Sequence, residues 1–346
     1  MMNSLQLGLG AVGGVLLLAM LAYYLWLSGK SRPRQTQPAP TPDTMPFERE
    51  PTLDIAALDG SFEDPGFAIP APEKKPGLDT LLDVIAPIAL DAPVSGDAVL
   101  AALPPTRRVG SKPFAVEGFN TSTQRWEAPQ AGQRYSQLQA GLQLANRAGA
   151  INDIEFSEFV VKAQAFCDLI NGTADFPEMR REVNRARELD QFAGDHDAQI
   201  AFVLRARRSA WSASYVQQMA ARLGFVPGSM AGRMVLPGAI GPVPVLSLSF
   251  DAQAALSDDM SQSALRELTL ALDVPQVERS ERAFARMCES AQALAKEMDG
   301  IVTDDNGVAL PPEAMTVIAA ELEQLYTTLE QRELSAGSVL ARRLFS

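Results

Sequence analysis

At 346 residues the chain is long enough for about two domains. Its 42 acidic against 30 basic side chains leave a net charge of −12, which argues against general nucleic-acid binding, a task for a basic surface. The single histidine, His196, removes histidine-clustered metal sites and leaves little for a histidine-based catalytic dyad. The two cysteines, Cys167 and Cys288, each sit within an apolar helical pattern, as expected for two buried thiols in a reducing compartment.

Residues 5–27, LQLGLGAVGGVLLLAMLAYYLWL, contain no charged side chain. As a helix at 1.5 Å per residue the run measures about 35 Å, enough to cross a bilayer core of about 30 Å with some tilt. Tyr23, Tyr24 and Trp26 stand at one end, where amphipathic rings favour the interface. A cleaved signal peptide would carry a basic start and a small-residue cleavage site, whereas this run has nothing basic before it and ends in YYLWLSGK. Residues 1–30 are therefore expected to be an uncleaved transmembrane anchor. Lys30, Arg32 and Arg34 follow at once, so the N-terminus is expected outside and the bulk of the chain in the cytoplasm. Gly10, Gly13 and Gly14 are ordinary glycines of such a helix, or a close-packing face.

Residues 31–76 are proline-frequent and lack apolar periodicity, the pattern of an unpacked linker with an average span of about 35–40 Å. From Leu78 the pattern changes. LLDVIAPIAL reads as a strand with an edge or bend at Pro87, and SGDAVLAAL as a short helix capped by Ser95 or Asp97. KPFAVEGF is a strand, and Leu138, Ala140, Leu142 and Leu144 alternate along another. Phe156, Phe159, Ala163, Phe166 and Ile170 then stripe one face of a helix. PEMRREVNRARELDQFA forms the next helix, with Pro177 near its first turn.

The order then restarts. AQIAFVLRA is a strand, SASYVQQMAARLGF a helix ending near Gly224, and MAGRMVLPG and VPVLSLSF are strands. Leu268, Leu270 and Leu272 alternate along LRELTLALDVP. Phe284, Met287, Ala291, Leu294 and Met298 repeat the earlier stripe, GIVTDDNGVAL is a short strand with a turn, and PPEAMTVIAAELEQLYTTLEQ is a helix. Residues 333–346 form a tail with no decisive pattern. A constant offset of 128 links the halves: Leu142, Leu144, Phe156, Ala163, Gln164, Ala165 and Gly172 recur as Leu270, Leu272, Phe284, Ala291, Gln292, Ala293 and Gly300. Two tandem copies of one β-α-β-β-β-α unit account for this, over 77–195 and 196–332. Amphipathic patterning within a single larger domain is the other reading. The fold class is α+β, a split β-α-β type antiparallel sheet with helices on one face.

Chemistry is scarce. No phosphate-cradling glycine loop, nucleophile elbow or metal motif occurs outside the apolar run, so neither an enzyme, a cofactor nor a metal is expected. Asp304 and Asp305 before Asn306-Gly307 fit a hairpin turn better than a metal loop, and Asp258 and Asp259 fit a solvated loop. Arg207, Arg208 and Trp211 form a basic, aromatic cluster between strand and helix. It is a surface loop, or a contact for an acidic peptide or lipid headgroup.

FARMCESAQALAKEMDGIVTDDNGVALPPEAM resembles the helix–strand–helix ending of the ZipA family, bacterial cell-division proteins that tether FtsZ. SASYVQQMAARLGF is similar to that family's first helix, and LSLSF to a central strand. The resemblance covers roughly residues 198–332, follows an anchor and a proline-rich linker as in the family, and leaves the first unit as a diverged second copy. It implies a membrane tether or adaptor at the division site in the inner membrane. It also implies an open sheet face that takes the C-terminal tail of FtsZ. On that face it places Met230, Ala201, Val203, Ser249, Thr269 and Ala271, with Met230 as the anchor. Ala271 stands where the family has a phenylalanine, so the cleft is expected to be shallow. An adaptor of the same fold for another envelope or division protein is the alternative. In the first unit, Gln139, Gly141 and Gln143 make the corresponding face polar.

Overall fold

The computed structural model describes residues 77–239, 243–256 and 263–346. The expected anchor over 5–27, the linker over 31–76 and the Asp258–Asp259 pair lie outside the described residues. Among those described, no helix is long and apolar enough to cross a membrane. Residues 71–346 form one compact unit.

That unit contains two large antiparallel sheets and a two-stranded ribbon, Ala145–Asn146 with Gly149–Ala150. In the first, the long strands are β1 (Asp83–Leu90), β2 (Lys112–Asn120), β3 (Arg134–Gln143) and β4 (Gly172–Ala174), in the order β2-β3-β1-β4. Short strands Val94–Ser95, Arg108–Val109 and Trp126–Glu127 extend it. The helices are α1 (Gly96–Ala102), α2 (Asp153–Ile170) and α3 (Met179–His196). The second sheet comprises β5 (Gln199–Ala206), β6 (Val226–Pro227), β7 (Arg233–Leu236), β8 (Leu246–Ser249), β9 (Glu267–Asp273) and β10 (Gly300–Thr303), in the order β6-β7-β8-β9-β5-β10. Its helices are α4 (Ala213–Arg222), α5 (Ala283–Glu297) and α6 (Pro312–Gln331). A last short helix, α7 (Val339–Leu344), follows.

The two sheets share an arrangement. The first strand of each lies inside the sheet, between the last long strand and the short strand that follows a helix. Val84 pairs with Leu142 in one, and Phe202 with Leu270 in the other. Leu142 and Leu270 are 128 residues apart. Helices α2 and α5 each bury a phenylalanine-led stripe against these strands and lead directly into the short strands that begin at Gly172 and Gly300.

Local rules account for the elements. Ser95 caps α1 by accepting from the Ala98 amide, and Ser212 caps α4 by accepting from that of Tyr215. Asn152 and Glu155 form a reciprocal capping box on α2. Pro87 is inside β1, and its carbonyl accepts from Asp175 just past the end of β4, so the amide donor that proline lacks would point beyond the end of the β4 ladder. Asp304 Oδ1 accepts from the Val308 amide and its carbonyl from that of Gly307, which makes the Asp304–Gly307 segment a hairpin turn.

The tail over 333–346 is part of the core. Ala341, Leu344 and Phe345 are fully buried, with α7 packed between the Ala145–Asn146 strand and the 3-10 turn Val274–Gln276. Gln143 donates to the Arg343 carbonyl and Gln276 to that of Phe345, so each half holds the tail. Gly337 passes so close to Glu278 that a Cβ would lie 2.5 Å from its nitrogen, with φ at +77°. Arg147, from the first half, grips Asp197 at 2.6 Å and Asp273 at 2.7 Å with one guanidinium. Arg332 lies over the Phe192 ring.

At the centre of this clasp Arg343 pairs with Asp83, whose side chain is 1% exposed. Burial pushes the Asp83 carboxyl above its usual value, and Arg343 offsets part of that rise. Arg343→Ala should cost about 3–5 kcal/mol, because it leaves a buried carboxylate without its partner. A carboxyl raised in the folded state favours folding below its unfolded value and loses that contribution as pH rises through the folded one. In urea melts the deficit of the variant should therefore shrink as pH falls into the ordinary carboxylate range and grow as pH rises above it. A deficit independent of pH would show that Asp83 is not the group left exposed to burial.

Candidate partner-binding face

Alternation along three strands divides the second sheet into two faces. Phe202, Leu204, Leu268, Leu270, Leu272 and Leu248 point to the helices and are buried. The residues between them face the other way, where no helix covers the sheet. Cross-strand register sorts these into rows. One row runs Val226, Val235, Ser247, Ala271, Ala201 across five strands, a span of about 19 Å. The next runs Arg233, Ser249, Thr269, Val203 and ends at Thr303.

Five of the six expected site residues therefore share one surface. Ala201 and Ser249 are exposed, while Val203, Thr269 and Ala271 are half-buried. Small side chains directly opposite each other leave this surface flat: Ala201 faces Ala271, and Thr269 faces Ser249. A shallow hollow of about 400 Å³ opens beside Ser249 and Thr269, lined also by Phe250, Asp251 and Glu267.

Met230 stands apart from the rows. The segment read as the strand MAGRMVLPG forms a strand only over Arg233–Leu236, and Met230 lies in the preceding turn, its carbonyl accepting from the Arg233 amide. It is 58% exposed and lines a hollow with Gln217 and Gln218 of α4 and with Phe250. Gly228 and Gly232 flank this turn, which is the sequence signal that the strand starts late.

The sequence reading missed Val226, Val235, Ser247 and Ile301, which extend the face. Charged groups lie at its margins: Arg205 beside Glu267 at 3.6 Å, and Arg233. Larger hollows lie on the helical side, one of about 620 Å³ between the end of α5 and the start of α6. That hollow is a seam between packed elements, which Ile301 also lines.

The corresponding face of the first sheet is filled. A Cβ on Gly141 would lie 2.4 Å from the Leu78 side chain, which covers it. Glu117 accepts from the Leu78 amide and from Gln139, and Gln143 donates to the Ala145 and Arg343 carbonyls. Its polar residues hold the two ends of the described chain.

Other singled-out residues have structural partners. Trp211 is buried and donates to the Met298 carbonyl at 2.6 Å, while Arg207 and Arg208 bind Gly300 and Asp299. His196 stacks on Phe192 and its Nδ1 lies 2.7 Å from that residue's carbonyl. Cys167 and Cys288 are free, and burial pushes both thiols up, Cys167 to about 11. No group of three or more metal-ligating side chains occurs among the described residues.

The second sheet thus presents a flat, uncharged face, backed by helices and bounded by charges, in an α+β arrangement. Residues 199–321 match the family model of the ZipA C-terminal, FtsZ-binding domain. Residues 199–321 are thus similar to that domain. No curated protein matches the chain.

If the open face is the contact surface, Ala271→Glu puts a charge at the centre of its longer row. Binding of an apolar peptide there should fall by about 2 kcal/mol or more, read by isothermal titration. Met230→Ala, in the turn, should cost less than about 1 kcal/mol. The reverse ranking would move the site to the hollow beside α4.

Proposed function

We propose that this protein is a membrane tether or adaptor of the bacterial division machinery, which captures the C-terminal tail of FtsZ on the open face of its second sheet. The observation that carries this reading is the contrast between two similar sheets. One has its free face filled by the chain's own ends, and the other keeps Ala201, Val203, Ser249, Thr269 and Ala271 available beside Val226 and Val235. The match of residues 199–321 to the model of an FtsZ-binding domain supports the identity of the partner. The charge-free run over 5–27, with the linker after it, supports an inner-membrane anchor. The activity invoked is binding: no catalytic step, cofactor or nucleic acid enters it.

We infer that the first half is a diverged copy of the second that has become a scaffold. Its strand order, the placement of α2 before a short edge strand, and the identities at a 128-residue offset support this. A second reading is an adaptor of the same fold for a different division or envelope protein. Ser249 and Thr269, together with alanine at 271, favour it because they make the face less apolar than an aromatic-lined cleft.

Residues 71–346 should retain FtsZ from solution and lose it when the FtsZ C-terminal tail is removed. Equal retention without the tail would remove the FtsZ-tail reading and leave the second. The membrane part has a separate check. A reporter fused after Ser346 should be active only if it is of the cytoplasmic type. Activity of a periplasmic-type reporter there would overturn the proposed orientation.

A further inference from the structure

The seat of Leu78 occupies one end of the first sheet's outer face. Cross-strand register sorts that face into rows. Ala115, Gly141 and Ile85 form the row under Leu78, and Glu117, Gln139 and Pro87 form the next. The third row is Trp126, Phe119 and Gln137. Its two rings meet edge to face, with centroids 5.6 Å apart. Trp126 is 39% exposed, and Pro87 and Gln137 are exposed on the same face. An indole left partly in water beside a second ring is surface that gains much from being covered.

The shared arrangement of the two sheets does not require the pair. Strand β8 flanks β9 as β2 flanks β3, but β2 covers nine residues and β8 covers four, ending at Ser249. The pair stands where β2 runs on and turns back into the Trp126–Glu127 strand.

The path of the chain defines what can cover it. Gly77 lies against the Glu117 side chain of β2, and Leu78 lies over Gly141 of β3. Asp79 then leads on to β1, its amide donating to Asp83. The sheet order is β2-β3-β1, so the residues before Gly77 come in from the β2 side. Phe119 is two residues from Glu117 along β2, about 7 Å, and Trp126 is one strand further, about 5 Å. The segment directly before Gly77 is APEKKP, residues 71–76. Its two prolines favour the polyproline form, in which residues 72–76 span about 15 Å, enough to cross both rings. Such a segment docks on aromatic surface at low entropic cost, because its extended form is set in advance. Lys74 and Lys75 add ammonium groups, which the face of an indole attracts.

We propose that residues 72–76 dock on the Phe119–Trp126 pair. The linker then ends on the aromatic pair, and the filling of this face by the chain itself extends from Gly141 to Trp126. The free linker leaves the folded unit from a fixed point on its first sheet.

Trp126 reports on the contact. Residues 71–346, which form one compact unit, contain two tryptophans, and the other, Trp211, is buried. Acrylamide quenching of Trp126 is taken by difference from the Trp126→Phe variant. In the variant Pro72→Gly, Lys74→Gly, Lys75→Gly, Pro76→Gly it should rise at least about twofold, with an unchanged unfolding midpoint. Conversely, Trp126→Ala should speed tryptic cleavage of the Lys74–Lys75 bond at least about threefold, because cleavage follows the population of the open segment. If Trp126→Ala lowers the unfolding midpoint, the quenching comparison decides alone, since the four glycines leave the described residues untouched. Equal quenching with and without the glycines would overturn the proposal. Protection of Trp126 that grows with protein concentration would also overturn it, and would assign the pair to a second copy. So would quenching of the unsubstituted unit at the rate of a free indole, which would leave the pair to another protein.

Discussion

The buried ion pair between Asp83 and Arg343 joins residues 260 apart in the chain, and the rest of the described structure is arranged around it. Arg343 could not reach Asp83 unless α7 lay across the junction of the halves. There Leu344 and Phe345 are fully buried, and the same guanidinium reaches the Gly77 carbonyl. The pair therefore fixes both ends of the described chain at one place. A buried ion pair is weak as a source of net stability, but it is strict about geometry, since either charge alone is costly in the interior. Arg147, bound to Asp197 and Asp273 together, imposes a second constraint of the same kind nearer the surface. The halves are held as one body by specific charge placement as well as by apolar contact.

That constraint decides which sheet face is filled and which stays open. In the first sheet the side facing away from the helices is where Leu78 enters and where α7 is held, and Glu117, Gln139 and Gln143 are the polar groups that secure them. Gly141 is required because a side chain there would collide with Leu78. In the second sheet the residues at the same depth are alanine, threonine and serine, and nothing in the described chain crosses them. Such a face stays soluble because its side chains are small and partly hydroxylated, and because Arg233, Arg205 and Glu267 stand at its rim. It presents little apolar area until a ligand brings its own.

The sequence made the strands and helices legible where burial is one-sided. Leu268, Leu270 and Leu272 alternate because one face of β9 meets helices, and the stripe from Phe284 to Met298 repeats every three or four residues for the complementary reason. Alternation also fixed which face Ala201, Val203, Thr269 and Ala271 would share. Met230 was harder, since a turn flanked by Gly228 and Gly232 interrupts the strand pattern and the register resumes only at Arg233. The tail was illegible for a different reason. Ser338 caps α7 recognisably, but a six-residue helix has too few positions to show a stripe, and the partners that bury it lie far away in sequence. Leu78 was likewise readable as apolar, while its seat over Gly141 depends on a contact across the sheet.

The two halves share a sheet arrangement and differ in the residues that the fold leaves free. Positions facing the core are constrained in both: Phe156 and Ala163 of α2 are buried as Phe284 and Ala291 of α5 are. Outward positions are not, and there the halves diverge. On the sheet side, one half uses glutamine, glutamate and glycine to seat its own chain, and the other keeps small uncharged residues. On the helix side Ile154, Val161 and Leu169 are exposed on α2 beside Glu158 and Asp168, whereas Glu289, Lys296 and Glu297 are exposed on α5. The chain's own ends seat on the side of the first sheet away from α2, so the residues on its two sides vary independently.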